Sequence, residues 1–192
     1  MKYKVLTYGN PMLREKSRRI TSVDAGIRKL ADDMLETMHD ANGVGLAAQQ
    51  VGRTEAICVI DVPGTLSSGQ PRPQESEPAV QMPLVMINPR IQKSEGETVC
   101  EEGCLSFPEV FVPISRPEFV TVQFGDLEGR TCVVRATGLL GRAIQHELDH
   151  LHGKLLVDRM DALRKIELGE LLERLRSTGR KQASGAAPQS RE

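Results

Sequence analysis

Gln145-His146-Glu147-Leu148-Asp149-His150 places two histidines four positions apart around a glutamate. In a helix, residues i and i+4 stand on one face a turn apart, so the two imidazoles can grip a single ion. The H-E-x-x-H pattern is a mechanical signature of metal-dependent hydrolysis, with the glutamate placed to move protons. On a helical wheel of residues 139–151, Leu139, Leu140, Ala143, Ile144, Leu148 and Leu151 share one broad apolar face. His146 and His150 sit at its edge and Glu147 falls inside it, whereas Arg142, Gln145 and Asp149 point the other way. A glutamate on an apolar face needs a hydrogen bond, a cation or a metal, because burying a bare carboxylate is costly. The same burial raises its pKa toward what a general base requires. Asp149 reads as a solvated helix residue, with the orienting of a ligand histidine as the lesser alternative.

The 192 residues fit one domain, expected over 1–176 and followed by a polar, disordered tail from 177 to 192. Lys plus Arg number 25 against 26 Asp plus Glu, which removes any global electrostatic case for binding DNA or a membrane. No apolar run reaches the length of a membrane span and no apolar signal segment opens the chain, so a cytoplasmic location is expected. Cys58, Cys100, Cys104 and Cys132 lack C-x-x-C spacing and read as free thiols.

Outward from the metal helix, the pattern is that of an α+β protein with mainly antiparallel sheets. Residues 1–20, with Gly9, Pro11 and several arginines, read as an irregular wrapping segment. Thr21 and Asp24 form a capping box for a first helix carrying Ile27, Leu30, Met34, Leu35 and Met38, ending at Asn42-Gly43. Residues 56–62 form a continuous apolar run suited to a buried strand, and another strand begins at 84–87. Between them, 63–81 is rich in Pro, Gly, Ser and Glu and reads as a surface insertion. Strands follow at 110–114 and 120–124, then a hairpin turn at 125–129 and a returning strand through Cys132, Val134 and Ala136. A last amphipathic helix is expected at 161–176.

Two imidazoles leave a catalytic site one protein ligand short, since such sites commonly use three and keep a position for water. His152 is too close and rotates to another face, while many Asp and Glu residues could serve. Cys104 is a candidate because Glu102-Gly103-Cys104-Leu105-Ser106 places a thiol in a glycine-adjacent bend.

Three stretches together resemble one family, peptide deformylase: Gly43-Val44-Gly45-Leu46-Ala47-Ala48-Gln49-Gln50, Glu102-Gly103-Cys104-Leu105-Ser106, and the opening motif. Their order and spacing also agree, and the similarity runs to about residue 175. The resemblance implies that Cys104, His146 and His150 hold the metal and that Glu147 is the general acid and base. It makes the Gln50 side chain and the Leu105 backbone N–H the donors to the developing oxyanion. Val44, Gly45 and Gly103 would lie along the bound peptide, and Leu139 and Ala143 would line a pocket for a methionine side chain. The substrate implied is a nascent polypeptide beginning with N-formylmethionine, and the products are formate and a free amino terminus. Coordination rules alone favour zinc for Cys-His-His, whereas the resemblance implies Fe2+, with Zn2+, Ni2+ or Co2+ as substitutes. Phe107-Pro108 and the last helix place the chain with bacterial members whose helical C-terminus is linked to ribosome docking, which would use Arg164, Lys165, Arg174 and Arg176. Phe111 and Arg142 fall at the expected pocket rim. The competing readings are a zinc endopeptidase sharing H-E-x-x-H and a non-catalytic, ribosome-associated metal protein.

Overall fold

The computed structural model describes residues 1–62 and 81–185. Most of the expected insertion (63–80) and the end of the tail (186–192) lie outside the described residues. The strands are β1 (Gly45–Ala47), β2 (Ile57–Ile60), β3 (Leu84–Glu95), β4 (Thr98–Cys104), β5 (Phe107–Arg116), β6 (Phe119–Gly125) and β7 (Thr131–Ala136). The α-helices are α1 (Ala25–Asp40), α2 (Gly138–Leu151), α3 (Leu156–Arg159), α4 (Ala162–Glu167) and α5 (Gly169–Gly185). One sheet runs β1-β2-β3-β6-β7 and a second pairs β4 with β5, every neighbour antiparallel. The architecture is α+β, as the residue pattern predicts.

The continuous apolar run becomes β2, and the reason is burial on both faces. Cys58 and Ile60 join the core beneath α2, with Ala143, Ile144, Leu148 and Leu151. Ile57 and Val59, pointing the opposite way, join Leu30, Met34 and Met38 of α1. The large sheet is thus covered by α1 on one face and α2 on the other. A third core of Tyr8, Leu13, Phe107, Val112, Leu155 and Leu172 seats the small sheet against the N-terminal segment and the last helices.

Two expectations are corrected at helix ends. Asp24 is itself the N-cap of α1, accepting the Ile27 N–H at 2.9 Å, so the box expected from Thr21 does not form. The helix expected at 161–176 breaks at Leu168 into α4 and α5, and α5 continues through Gly185 where disorder was expected. Docking explains the extension. The Thr7 N–H donates to Gln182 Oε1 at 2.8 Å, and Arg176 donates to the Tyr8 hydroxyl at 2.8 Å. Gly179 lies against backbone, where a Cβ would stand 2.3 Å from Tyr8 O and 2.4 Å from Thr7 O. Gly179→Val should therefore push α5 off the N-terminal segment and lower stability by about 1–3 kcal/mol, the usual cost of overpacking. Urea unfolding checks this, and an unchanged midpoint would show that the helix is not held there. Among the described residues no helix is long and apolar enough to cross a membrane.

Candidate metal centre and active-site cleft

α2 carries His146, Glu147 and His150, and the small sheet brings Cys104 to them from 42 positions earlier in the chain than His146. The β4–β5 register shifts between Gly103, opposite Phe111, and Cys104, opposite Phe107. Such an irregularity re-aims a side chain, and here it accompanies the turn of the thiol toward α2. Cys104 Sγ lies 3.3 Å from His150 Nε2, and His150 Nε2 lies 3.3 Å from His146 Nε2. All three ligand atoms fall within 4.8 Å of one another. A tetrahedral ion with bonds of about 2.0–2.3 Å needs ligand atoms roughly 3.3–3.6 Å apart, so these residues fit a small divalent metal.

Charge supports the same fit. Burial pushes the Cys104 thiol up, but the His150 and His146 imidazoles outweigh it and hold the thiol at about 5, leaving a thiolate at neutral pH. His146 is correspondingly raised well above the usual imidazole value: burial lowers it, and the thiolate and Glu102 prevail. Glu147 is 3% exposed, and burial, opposed by the two imidazoles, pushes it up to about 7. Its Oε2 has no hydrogen-bond partner among the described residues. Gly45 of β1 runs directly beneath it, where a Cβ would stand 2.3 Å from Glu147 Oε1.

Gln50 sits in the 3-10 turn Ala48–Val51. Its Oε1 accepts the Ala47 N–H at 2.9 Å, which leaves Nε2 aimed at Ser106 Oγ (3.2 Å) and Cys104 Sγ (3.6 Å). The N-terminal segment braces both sides of this arrangement, since the Leu6 N–H donates to Gln50 O and the Tyr8 N–H to Ser106 O, each at 2.8 Å. A cleft of about 470 Å³ is lined by Val44, Gly45, Gln50, Gly103, Cys104, Leu105, Leu139, Ala143, His146 and Glu147. Of the residues expected in the site only His150 is absent from that lining, being 1% exposed. Phe111 and Arg142 do border the cleft. A Cβ on Gly103 would lie 2.7 Å from the exposed Phe111 ring, so the strand passes under the aromatic only because Gly103 has no side chain.

Asp149, expected to be solvated, is buried, and so is Gln145 on the same side of the helix. Gln145 donates to Pro117 O and Gly141 O, both at 3.0 Å, and Asp149 accepts from Arg116 and Arg159. Arg116 was missed outright, and Glu102 had no role beyond its motif. A signal existed: Val110, Val112 and Ile114 set an inward phase on β5, and Arg116 occupies the next inward position. Burial raises the Glu102 and Asp149 carboxyls, but their cationic partners prevail and hold both below the usual range.

Two histidines and a thiolate converge beside a buried glutamate whose Oε2 has no hydrogen-bond partner among the described residues, an arrangement that suits a metallohydrolase on an α+β scaffold. Residues 2–166 match the family model described as polypeptide deformylase, and the chain belongs to that family. A peptide deformylase of Nitrosococcus oceani is 42% identical over 170 residues, covering 88% of this chain and 93% of that protein. The crystal structure of peptide deformylase from Ehrlichia chaffeensis superposes with a TM-score of 0.82 at 34% identity, covering 95% of this chain and 99% of that one. That of a peptide deformylase from Synechococcus elongatus in complex with actinonin gives 0.76 at 40% identity, covering 90% and 86%.

Proposed function

We propose that this chain removes the N-formyl group from nascent polypeptides that begin with N-formylmethionine, releasing formate and a free amino terminus. Family membership supports the reading, and the observation that carries it is the placement of Cys104, His146, His150, Glu147 and Gln50 around one cleft. Cys104, His146 and His150 would hold a divalent ion, which when bound supplies Lewis-acid activation of water and of the formyl oxygen. Glu147 takes a proton from the attacking water and returns it to the departing amine. Gln50 Nε2 and the Leu105 N–H donate to the oxygen on which negative charge develops. Val44, Gly45 and Gly103 offer backbone along the peptide, while Leu139 and Ala143 wall the pocket for the methionine side chain.

Ferrous iron is the ion we assign in the cell, with zinc, nickel or cobalt as substitutes. Metal analysis of anaerobically purified protein tests this, and zinc alone at full occupancy would refute it. The activity is tested with formyl-Met-Ala-Ser and its acetylated analogue. Formate should be released from the first and the second left intact; equal cleavage, or scission of an internal bond, would favour a zinc endopeptidase. A cytoplasmic location and ribosome docking through the last helices belong to the same reading. Arg164 pairs with Glu167 and Arg176 with Glu173 and Tyr8, so Lys165 and Arg174 are the better phosphate contacts. Co-sedimentation with ribosomes should weaken when both become glutamate, and unchanged sedimentation would remove the docking proposal.

A further inference from the structure

Behind the metal ligands lies a buried ion cluster that the proposed chemistry does not use. Arg116, at the end of β5, is 3% exposed. Its Nε and Nη2 donate to Glu102 Oε1 and Oε2 at 2.5 and 2.9 Å, and its Nη1 donates to Asp149 Oδ2 at 2.9 Å. Arg159 of α3 holds Asp149 from another side at 2.6 and 3.0 Å, so two guanidiniums balance two carboxylates. Glu102 Oε2 in turn stands 3.2 Å from His146 Nδ1. Glu102 precedes Cys104 by two residues on β4, and Asp149 adjoins His150 on α2. One cation therefore joins the strand that carries the thiolate to the helix that carries both imidazoles.

We infer that Arg116 is a positioning residue for the metal centre. Its planar fork fixes the Glu102 carboxylate against His146 Nδ1, which leaves Nε2 of that ring turned to His150 Nε2, where it could ligate an ion, and ties β4 to α2 so that Sγ and both Nε2 atoms keep their separation. Stability alone gives no reason for such a cluster, because a buried ion pair is often no more stabilising than apolar residues of equal volume. A lysine would not substitute, since a point charge cannot grip one carboxylate with two parallel bonds while reaching the other.

The inference rests on the metal reading above, and cobalt separates the two. Wild-type, Arg116→Lys and Arg116→Met chains are loaded anaerobically with Co2+, followed by visible absorption and by competition with a chelator. Wild-type protein should show thiolate-to-cobalt charge transfer and four-coordinate d–d bands; their absence would overturn the metal reading itself. Arg116→Lys should fold yet bind cobalt about ten- to a hundredfold more weakly, with shifted d–d bands. Wild-type affinity and spectrum in either folded Arg116 variant would overturn the positioning role. If neither variant folds, Glu102→Gln, in which Arg116 keeps Asp149, reads the same link: weaker cobalt binding supports it, and unchanged binding overturns it.

Discussion

Glu147→Gln is expected to cut deformylation about a thousandfold while leaving the metal and the fold in place, within the range removed when a general acid and base is lost. Glutamine matches the shape of glutamate but cannot accept the proton of water. A second effect runs in the opposite direction and can be read without substrate. Burial raises the Glu147 carboxyl to about 7, whereas an unfolded glutamate titrates near 4.3. The folded metal-free chain thus binds the proton more tightly than the unfolded one, so Glu147 destabilises it increasingly as pH rises from that lower value through 7. Metal-free Glu147→Gln should melt above wild type, with a gap that widens over this window and levels off above it. Retained activity would remove Glu147 from the chemistry, and a gap independent of pH would show that its carboxyl is not strained by burial.

Gly45→Ala should cost about a hundredfold in kcat although it adds one methyl group to a residue that does no chemistry. The added Cβ would stand 2.3 Å from Glu147 Oε1 and 2.9 Å from its Cδ. α2 cannot retreat, because Ile144 and Leu148 are locked in the core beneath it, so the carboxylate tip must swing. A displacement of about 1 Å at a reacting group costs on the order of a hundredfold. Gly43→Ala is the comparison: its Cβ would meet Leu105 Cδ1 at 2.7 Å, the far end of a flexible side chain, and should cost much less. Equal and small losses in both variants would show that Glu147 has room to move.

The elements legible in sequence were those whose pattern is set by burial of apolar side chains. α2 declared itself through a 3.6-residue period, and β2 through a run buried on both faces. β4 went unread because its inward positions are Thr98, Cys100, Glu102 and Cys104, none of them a large apolar residue, and its outward ones face solvent. β1, with three residues, is too short to show a period. Asp149 looked solvated because a wheel knows only the apolar face of its own helix, and the second face of α2 packs against the Arg116 and Arg159 side chains. The end of α5 looked disordered because its docking uses Gly179 and backbone oxygens, which leave no hydrophobic trace. The site's motifs were legible as residues; the cation that links them, Arg116, lies in none of them.

The small sheet and α2 belong to different hydrophobic cores, seated by Phe107 and Val112 in one case and by Ile144 and Leu148 in the other. With Cys104 on the first and His146 and His150 on the second, an ion held by all three, as proposed, would be a cross-link between them. Mass action then applies: each tenfold rise in free metal above the dissociation constant adds about 1.4 kcal/mol to the fastening of the hairpin on the helix. The melting temperature of this enzyme should accordingly track metal supply, and removal of one sulfur would leave the hairpin and the helix held by their own packing and by the Arg116 ion pairs.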